Sequence, residues 1–206
     1  ATLMTMLGGI ELVAQTNALP EGATKTTPVK IKIGVIGLGA RGREIINTLA
    51  RLPQADVAAI CDTYPAFLKR TASSAPGAAQ TEDYKTILAN KDIKTVVIAT
   101  PTFTHKELVL AALKAGKHVY GEKPLTLTID EGKRLVKAVR QNRAVFQVGS
   151  QQRSDRNFRL ACELVRNGRL GKLQEIIVGL PTGPREGPFQ AIPVPSELNW
   201  DYYLGQ

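Results

Sequence analysis

The sequence predicts an α/β protein in which a doubly wound parallel sheet is followed by the start of a second α+β domain. Three observations indicate this. Short apolar runs rich in β-branched residues alternate with runs of helical periodicity across residues 30–150. The first strand meets its helix in a glycine-rich junction. Residues 151–206 then offer one helix, one strand and a long proline-rich loop, which do not complete a core.

The first junction between strand and helix carries a specific motif. A β-branched run at 31–36 is followed by Gly37, Gly39 and Gly42, and the apolar residues of 43–52 recur at helical spacing. Gly37 permits a tight turn, Gly39 leaves room for phosphate oxygens, and Gly42 lets helix and strand approach closely. We expect a Rossmann-type cofactor site made of Gly37, Leu38, Gly39, Ala40, Arg41 and Gly42. A glycine-rich turn in another kind of α/β protein is the alternative.

The second strand, 57–61, ends at Asp62, about twenty residues after the last glycine of the motif. A carboxylate in this place binds the adenosine ribose hydroxyls of a dinucleotide. Asp62 favours NAD because its charge would repel a 2′-phosphate. Arg41, in the loop, keeps NADP open as the alternative.

The alternation of strands and helices continues to residue 148. Strands are predicted at 95–100, 117–121 and 144–148, and helices at 65–72, 83–90, 105–115 and 128–141. The last of these helices opens with a capping box, Thr128 to Glu131. Ligands of such sheets bind beyond the carboxyl ends of the strands. We therefore expect one rim formed by residues 37–42, 62, 100–105, 121–124 and 149–153.

Lys123 is the candidate for proton transfer at this rim, in the sequence Glu122-Lys123-Pro124. A lysine beside a nicotinamide ring could take the proton of a substrate hydroxyl as hydride leaves the same carbon. Glu122 would orient the lysine or contact the cofactor. Pro124 fixes the following backbone, and its peptide bond is a candidate for the cis form. A surface turn with a salt bridge is the alternative.

Two further groups of polar residues follow predicted strands. Thr100 and Pro101 end a buried strand beside the expected path of the cofactor, and His105 could bind a ribose or substrate hydroxyl. The alternative is a helix capped by Thr104 with a solvated His105. Gln152 and Arg153 carry amide and guanidinium groups suited to polyol hydroxyls, unless they form an ordinary crossover between domains.

The predicted second domain, 151–206, begins with a helix at 156–167 and a strand at 173–180. Near its end Trp200, Asp201 and Tyr202 could form a platform for a sugar ring, or else belong to an aromatic core.

Composition argues against several other classes of function. The 206 residues are 43% hydrophobic and carry a formal charge of +9, but Lys and Arg are scattered and no zinc-finger spacing occurs. We expect no nucleic-acid partner and no metal site. Cys61 and Cys162 lie far apart and are expected to be buried thiols.

Residues 1–29 are expected to lie outside the folded domains. The apolar start at 1–14 is too short to span a membrane and resembles the end of an export signal, followed by a polar linker. This points to a periplasmic or exported bacterial protein. A disordered tail on a cytoplasmic protein is the alternative.

Five segments in this order resemble the Gfo/Idh/MocA family of sugar and polyol oxidoreductases: GVIGLGARG, Asp62 at its strand end, ATPTFTH, GKHVYGEKPLTLTIDEG and FQVGSQQRSDRNF. The resemblance implies NAD or NADP on the glycine loop and Lys123 as catalytic acid and base. It places Thr100, Pro101, His105, Glu122 and Lys123 at the cofactor. It places Lys123, Gln152 and Arg153 at a sugar or cyclitol substrate, and leaves open a homo-oligomer of the longer protein.

The chain departs from the family pattern after this point. Family members continue into a large open sheet with an Asp…His pair that completes the active site, and neither His105 nor His118 occupies that place. A non-catalytic dinucleotide-binding protein or fragment therefore remains an alternative to the oxidoreductase. An NAD-dependent glycosidase of related fold is another.

Overall fold

The computed structural model describes residues 30–180, 182–183 and 187–204. It contains one six-stranded sheet, all of whose strand pairs are parallel, in the order β3-β2-β1-β4-β5-β6. The strands are β1 (Ile31–Ile36), β2 (Ala55–Cys61), β3 (Ala79–Thr81), β4 (Thr95–Ile98), β5 (His118–Glu122) and β6 (Phe146–Gly149). The predicted doubly wound parallel sheet is therefore confirmed. Strand β3 was not predicted, because its three residues show no usable alternation.

The helices cover both faces of the sheet, and successive residues of one strand enter different cores. The helices are α1 (Ala40–Leu49), α2 (Pro65–Thr71), α3 (Tyr84–Ala89), α4 (Thr102–Lys114), α5 (Ile129–Asn142), α6 (Arg156–Arg166) and α7 (Trp200–Leu204). In β4, Val97 belongs to the core that includes Ile46 of α1, whereas Val96 and Ile98 belong to the core that includes Val109 of α4. Each fully buried side chain of this kind contributes about 1.5–3 kcal/mol to stability.

Two helices begin earlier than predicted, and both lie at the ligand-binding edge. Helix α1 begins at Ala40 rather than residue 43, so the end of the glycine loop is already its first turn. Helix α4 begins at Thr102 rather than residue 105, after Pro101. The capping box of α5 is confirmed, since the Glu131 amide donates to Thr128 Oγ1 at 3.2 Å and Glu131 Oε2 accepts from the Leu127 amide at 3.0 Å.

The region after β6 adds no strand to the sheet within the described residues. The strand predicted at 173–180 is wrong: these residues have no assigned strand and are exposed, and no ladder pairs them within the part of the chain that the structure describes. A strand needs a neighbour to satisfy its backbone groups, and apolar alternation alone supplies none. Cys162 lies on α6 and is exposed, contrary to its prediction, while Cys61 is buried.

The expectation for residues 1–29 lies outside the described residues. In the ranges that the structure does describe, no helix has the length and apolar character needed to cross a lipid bilayer.

Candidate functional site

The glycine loop lies between β1 and α1 and approaches the neighbouring backbone closely. Gly37 has a φ of +93°, which side-chain-bearing residues rarely adopt, and its amide donates to the Cys61 carbonyl at 2.9 Å. A Cβ on Gly42 would overlap the Gly37 carbonyl oxygen, so this residue lets α1 start directly against the loop. A Cβ on Gly39, in contrast, would meet no atom within 4 Å. The loop is thus tightly packed on one side and open at Gly39.

The open side of the loop faces a cavity of about 740 Å³. Its sheet-side walls are the residues that follow β1, β2, β3 and β4, and its outer wall is formed by residues in the range 192–203. Several site residues expected from the sequence line it: Gly37, Gly39, Ala40, Arg41, Asp62, Thr100 and Pro101. Three of the five predicted rim segments therefore surround one cavity.

Asp62 holds the glycine loop through its carboxylate. Asp62 Oδ2 accepts a hydrogen bond from the Leu38 amide at 2.7 Å, and Oδ1 accepts from the Tyr64 amide at 2.9 Å. Each carboxylate oxygen can accept a second hydrogen bond, so both oxygens keep capacity for a ligand hydroxyl. Asp62 therefore also stabilises the glycine loop, a role that its position at the end of β2 did not predict.

Arg41 joins the glycine loop to the end of β5. Its Nε and Nη2 both lie 2.9 Å from Glu122 Oε1, and its Nη1 lies 2.8 Å from Glu44 Oε2. The Glu122 side chain is only 7% exposed, so this carboxylate depends on Arg41 for charge compensation. Hydrogen bonds to Glu122 and then Glu44 raise the pKa of Arg41 further above its usual value. A Cβ on Gly149 would collide with Glu122 Oε1, so glycine at the end of β6 leaves space for this carboxylate.

His105 is buried between two backbone carbonyls. Its side chain lies in the first turn of α4, with Nε2 at 2.8 Å from the Thr100 oxygen and Nδ1 at 3.0 Å from the Pro124 oxygen. The alternative of a solvated His105 is wrong, since the residue is 1% exposed. Capping by Thr104 is also wrong, because Thr104 Oγ1 donates to the Pro101 carbonyl at 2.8 Å from within the helix. His105 connects the end of β4 to the turn that contains Lys123.

Lys123 lies directly after β5 and is exposed. The Lys123–Pro124 peptide is cis, as its sequence suggested. Lys123 does not line the cavity, because the cavity is bordered on its sheet side by residues that follow β1 to β4 and by none that directly follows β5. The turn has the exposed lysine and the salt bridge that the alternative expected, but the salt bridge joins Glu122 to Arg41. No carboxylate within the described ranges forms an ion pair with Lys123 itself.

Gln152 and Arg153 lie on a 3-10 turn, Gln151–Ser154, immediately after β6. Both side chains are exposed, and neither lines the cavity. The parallel order places this turn at the same edge as Lys123, because Glu122 pairs with Gly149 at the ends of β5 and β6.

The sequence singled out Trp200 and Tyr202, which both line the cavity, but it did not identify the rest of the aromatic wall. Tyr64, Phe67 and Tyr84 line it from the segments after β2 and β3, and Tyr202 and Tyr203 line it from α7. Tyr64 and Phe67 could have been found, because they follow the acidic residue at a strand end. Tyr84 follows a strand too short to predict, and the approach of α7 depends on tertiary structure.

Residues 31–150 match the model of a family described as an oxidoreductase family with an NAD-binding Rossmann fold. A myo-inositol 2-dehydrogenase of Thermotoga maritima is 32% identical over 142 residues, covering 69% of this chain and 42% of that protein. An uncharacterized oxidoreductase of Bacillus subtilis has the same identity and coverage. The structure of Lactobacillus casei scyllo-inositol dehydrogenase with bound NAD(H) and scyllo-inositol is 33% identical, with a TM-score of 0.64, over 69% of this chain and 42% of that one. The chain thus spans less than half the length of these relatives.

Proposed function

Because this chain belongs to the oxidoreductase family with an NAD-binding Rossmann fold, we propose that it is the cofactor-binding part of an NAD-dependent oxidoreductase acting on a sugar or cyclitol hydroxyl. The main support for this proposal is the conformation of the glycine loop. The loop is held by Asp62 and by close backbone contacts, and is open at Gly39, where the 740 Å³ cavity begins.

The residues around this opening fit a dinucleotide. The N-cap of α1 is Gly39, which has no side-chain capping bond, so the first amides of the helix are available to an anion. A phosphate group needs such amides and an approach free of Cβ atoms, and Gly39 provides that approach. Asp62 would accept the adenosine ribose hydroxyls with its remaining lone pairs, which favours NAD over NADP.

When bound, the nicotinamide supplies the site that accepts or donates hydride. Lys123 would accept the proton of the substrate hydroxyl in oxidation and return it in reduction. Glu122 is fixed by Arg41 and by the space at Gly149, so it would hold the turn that carries Lys123. His105 would hold the same turn beside the Pro124 carbonyl, rather than contact a ribose, because backbone carbonyl oxygens lie within 3.0 Å of both of its ring nitrogens.

The substrate class is proposed from two facts. Over the matched part, which is 42% of their own length, relatives with inositol dehydrogenase names are 32–33% identical to this chain. Gln152 and Arg153, next to Lys123 at the edge, offer exposed donors and an acceptor to a polyol. We further propose that residues 151–206 begin a second domain, because the six-stranded sheet is complete at Gly149.

The test of cofactor binding is calorimetric titration of the chain with NAD⁺ and NADH, with Gly39→Asp as the decisive variant. Asp is a favourable N-cap and its Cβ would meet no atom within 4 Å at this position, so the variant should fold at least as well as the wild type. Its carboxylate would repel the diphosphate, and we expect the dinucleotide affinity to fall at least 50-fold, on the order of a lost charge-assisted contact plus repulsion.

The matched control is Gly179→Asp, which adds the same charge at another glycine with open space around it. It should leave the affinity unchanged. Equal affinity in Gly39→Asp and the wild type would contradict the proposed site. The hydride-transfer part is tested separately, by following reduction of NAD⁺ with inositols and sugars in the longest form of the protein.

A further inference from the structure

We propose that residues 192–203, with Trp200 and Tyr202 as the contacting side chains, form the outer wall of the adenosine half of the cofactor site. This inference rests on the proposed function. It adds that residues 192–203 contribute an aromatic surface for the adenosine to contact. The glycine loop and the end of β2 form the inner wall.

The position of the cavity along the sheet identifies the half of the cofactor. The residues that line it from the sheet side follow β1, β2, β3 and β4, including Asp62, Tyr64 and Tyr84. The strand order places β2 and β3 on one side of β1, and β5 with Lys123 on the far side of β4. A carboxylate at the end of β2 contacts the adenosine ribose in sites of this kind. The cavity therefore corresponds to the adenosine side and not to the nicotinamide side.

The segment opposite the glycine loop is ordered by its own contacts. Asn199 Oδ1 accepts from the Tyr202 amide at 3.0 Å and so caps α7, and the Leu198 amide donates to the Pro195 carbonyl at 3.0 Å. The Tyr202 ring meets the Phe103 ring of α4 edge-on, with centroids 5.7 Å apart. These contacts hold α7 near the start of α4, directly beside Thr100 and Pro101.

The aromatic side chains of α7 are too exposed to be explained as a core. Trp200, Tyr202 and Tyr203 are 44%, 49% and 54% exposed, although all three line the cavity. Trp200 and Tyr203 stack on each other with an interplanar angle of 19°, which leaves flat apolar surface facing a space of about 740 Å³. A purine base is a flat ligand that gains by contact with aromatic rings. Burial of part of Tyr202, together with nearby acidic groups, raises its pKa, so the phenol stays neutral at physiological pH.

Trp200 is the only tryptophan of the chain, so its fluorescence reports on this wall alone. The experiment titrates the chain with AMP, ADP-ribose and nicotinamide mononucleotide while the emission of Trp200 is recorded, with calorimetry in parallel. We expect AMP and ADP-ribose to change the emission with the same saturation as the heat signal. Nicotinamide mononucleotide should leave it unchanged.

The variants Tyr202→Ala, Tyr202→Phe and Phe158→Ala complete the test. Tyr202→Ala should weaken ADP-ribose binding by about 5- to 50-fold, the range of base–aromatic contacts. Tyr202→Phe, which keeps the ring, should retain the wild-type affinity. Phe158→Ala, the matched control, removes an aromatic ring that is 53% exposed on α6 and does not line the cavity, and should have no effect.

Two results would overturn the inference in distinguishable ways. If ADP-ribose binds by calorimetry but leaves Trp200 emission and the affinity of Tyr202→Ala unchanged, the wall is elsewhere and the proposed cofactor site stands. If neither ADP-ribose nor NAD⁺ binds the wild type, both the wall and the proposed function are wrong.

Discussion

The two ends of the ligand-binding edge are built differently. The end at β1, β2 and β4 is a cavity that is partly open to solvent, and its glycine loop is fixed by backbone contacts and by the Asp62 carboxylate. The end at β5 and β6 presents exposed Lys123, Gln152 and Arg153 on short turns. Under the proposed function, the first end would bind the cofactor, whereas the second would take part in the reaction once a substrate covers it.

One ion pair connects the two ends. Arg41 belongs to the glycine loop, and Glu122 directly precedes Lys123. Their ion pair therefore fixes the position of the Lys123 turn relative to the glycine loop. His105 provides a second connection, from Thr100 to Pro124. Substitution of Lys123 should therefore lower turnover, and substitution in the glycine loop should lower cofactor affinity. Loss of the Arg41–Glu122 ion pair or of the His105 contacts should lower both.

The largest expected effect is that of Lys123→Ala in the catalytically active form of the protein. Loss of the proton acceptor should lower kcat by about 10²- to 10⁴-fold. Affinity for NAD⁺ should stay within about twofold, because the cavity proposed for the adenosine half is not lined by Lys123 and keeps its contacts in the variant. Steady-state kinetics and calorimetry on the same preparation check this, and a variant with normal kcat would remove Lys123 from the mechanism.

Gly149→Ala should have the next largest effect, because it disturbs the Arg41–Glu122 ion pair. Its Cβ would displace the Glu122 carboxylate from Arg41, which should lower kcat by about tenfold or more and destabilise the protein by about 1–3 kcal/mol. The matched control is Gly132→Ala on α5, where the new methyl makes only an ordinary contact at 3.6 Å. That control should be as stable as the wild type or more so in thermal unfolding. Equal behaviour of the two alanine variants would show that Glu122 can move without consequence.

Asp62→Asn is expected to weaken NAD⁺ binding by about tenfold, with little change in kcat. The amide has one acceptor oxygen where the carboxylate has two, so one of the bonds to Leu38 and Tyr64 is lost along with the charge. The loss should be smaller for NADP⁺, whose 2′-phosphate is no longer repelled. Parallel titrations with the two cofactors measure it, and an unchanged preference would exclude Asp62 from cofactor selection.

The smallest effect should come from Glu131→Gln at the start of α5. The Leu127 amide first, and then Lys106, lower the pKa of Glu131 in the folded protein. A lowered folded-state pKa contributes stability above the unfolded pKa, and this contribution disappears as the pH falls through the folded-state value. We expect a slightly lower Tm than the wild type at pH 7 and a difference that narrows below about pH 4. A difference that grew in acid would contradict this assignment, and cofactor affinity should be unaffected.

The sequence predicted those features that depend on local patterns. The glycine spacing, the strand alternation and the capping box of Thr128 each depend on a few neighbouring residues, and the structure has the corresponding loop, sheet and helix start. The contacts of Asp62 with Leu38 and of Arg41 with Glu122 are spread over 24 and 81 residues, respectively, and no spacing rule reports them.

The errors have the same origin. The solvated alternative for His105 is wrong because the burial of this residue depends on Pro124, which follows another strand. The apolar pattern at 173–180 satisfied the rule for a strand, but pairing requires a partner that the local sequence does not contain. Local sequence patterns therefore indicate where the candidate site lies, and tertiary contacts determine how its parts are joined.

The most direct test is a crystal structure of the protein with NAD⁺. We predict that the diphosphate lies on the amides at Gly39 and the start of α1, with the adenosine in the cavity beside Asp62 and the nicotinamide directed toward Lys123. Density for the cofactor away from the glycine loop, or a nicotinamide directed away from β5, would contradict it.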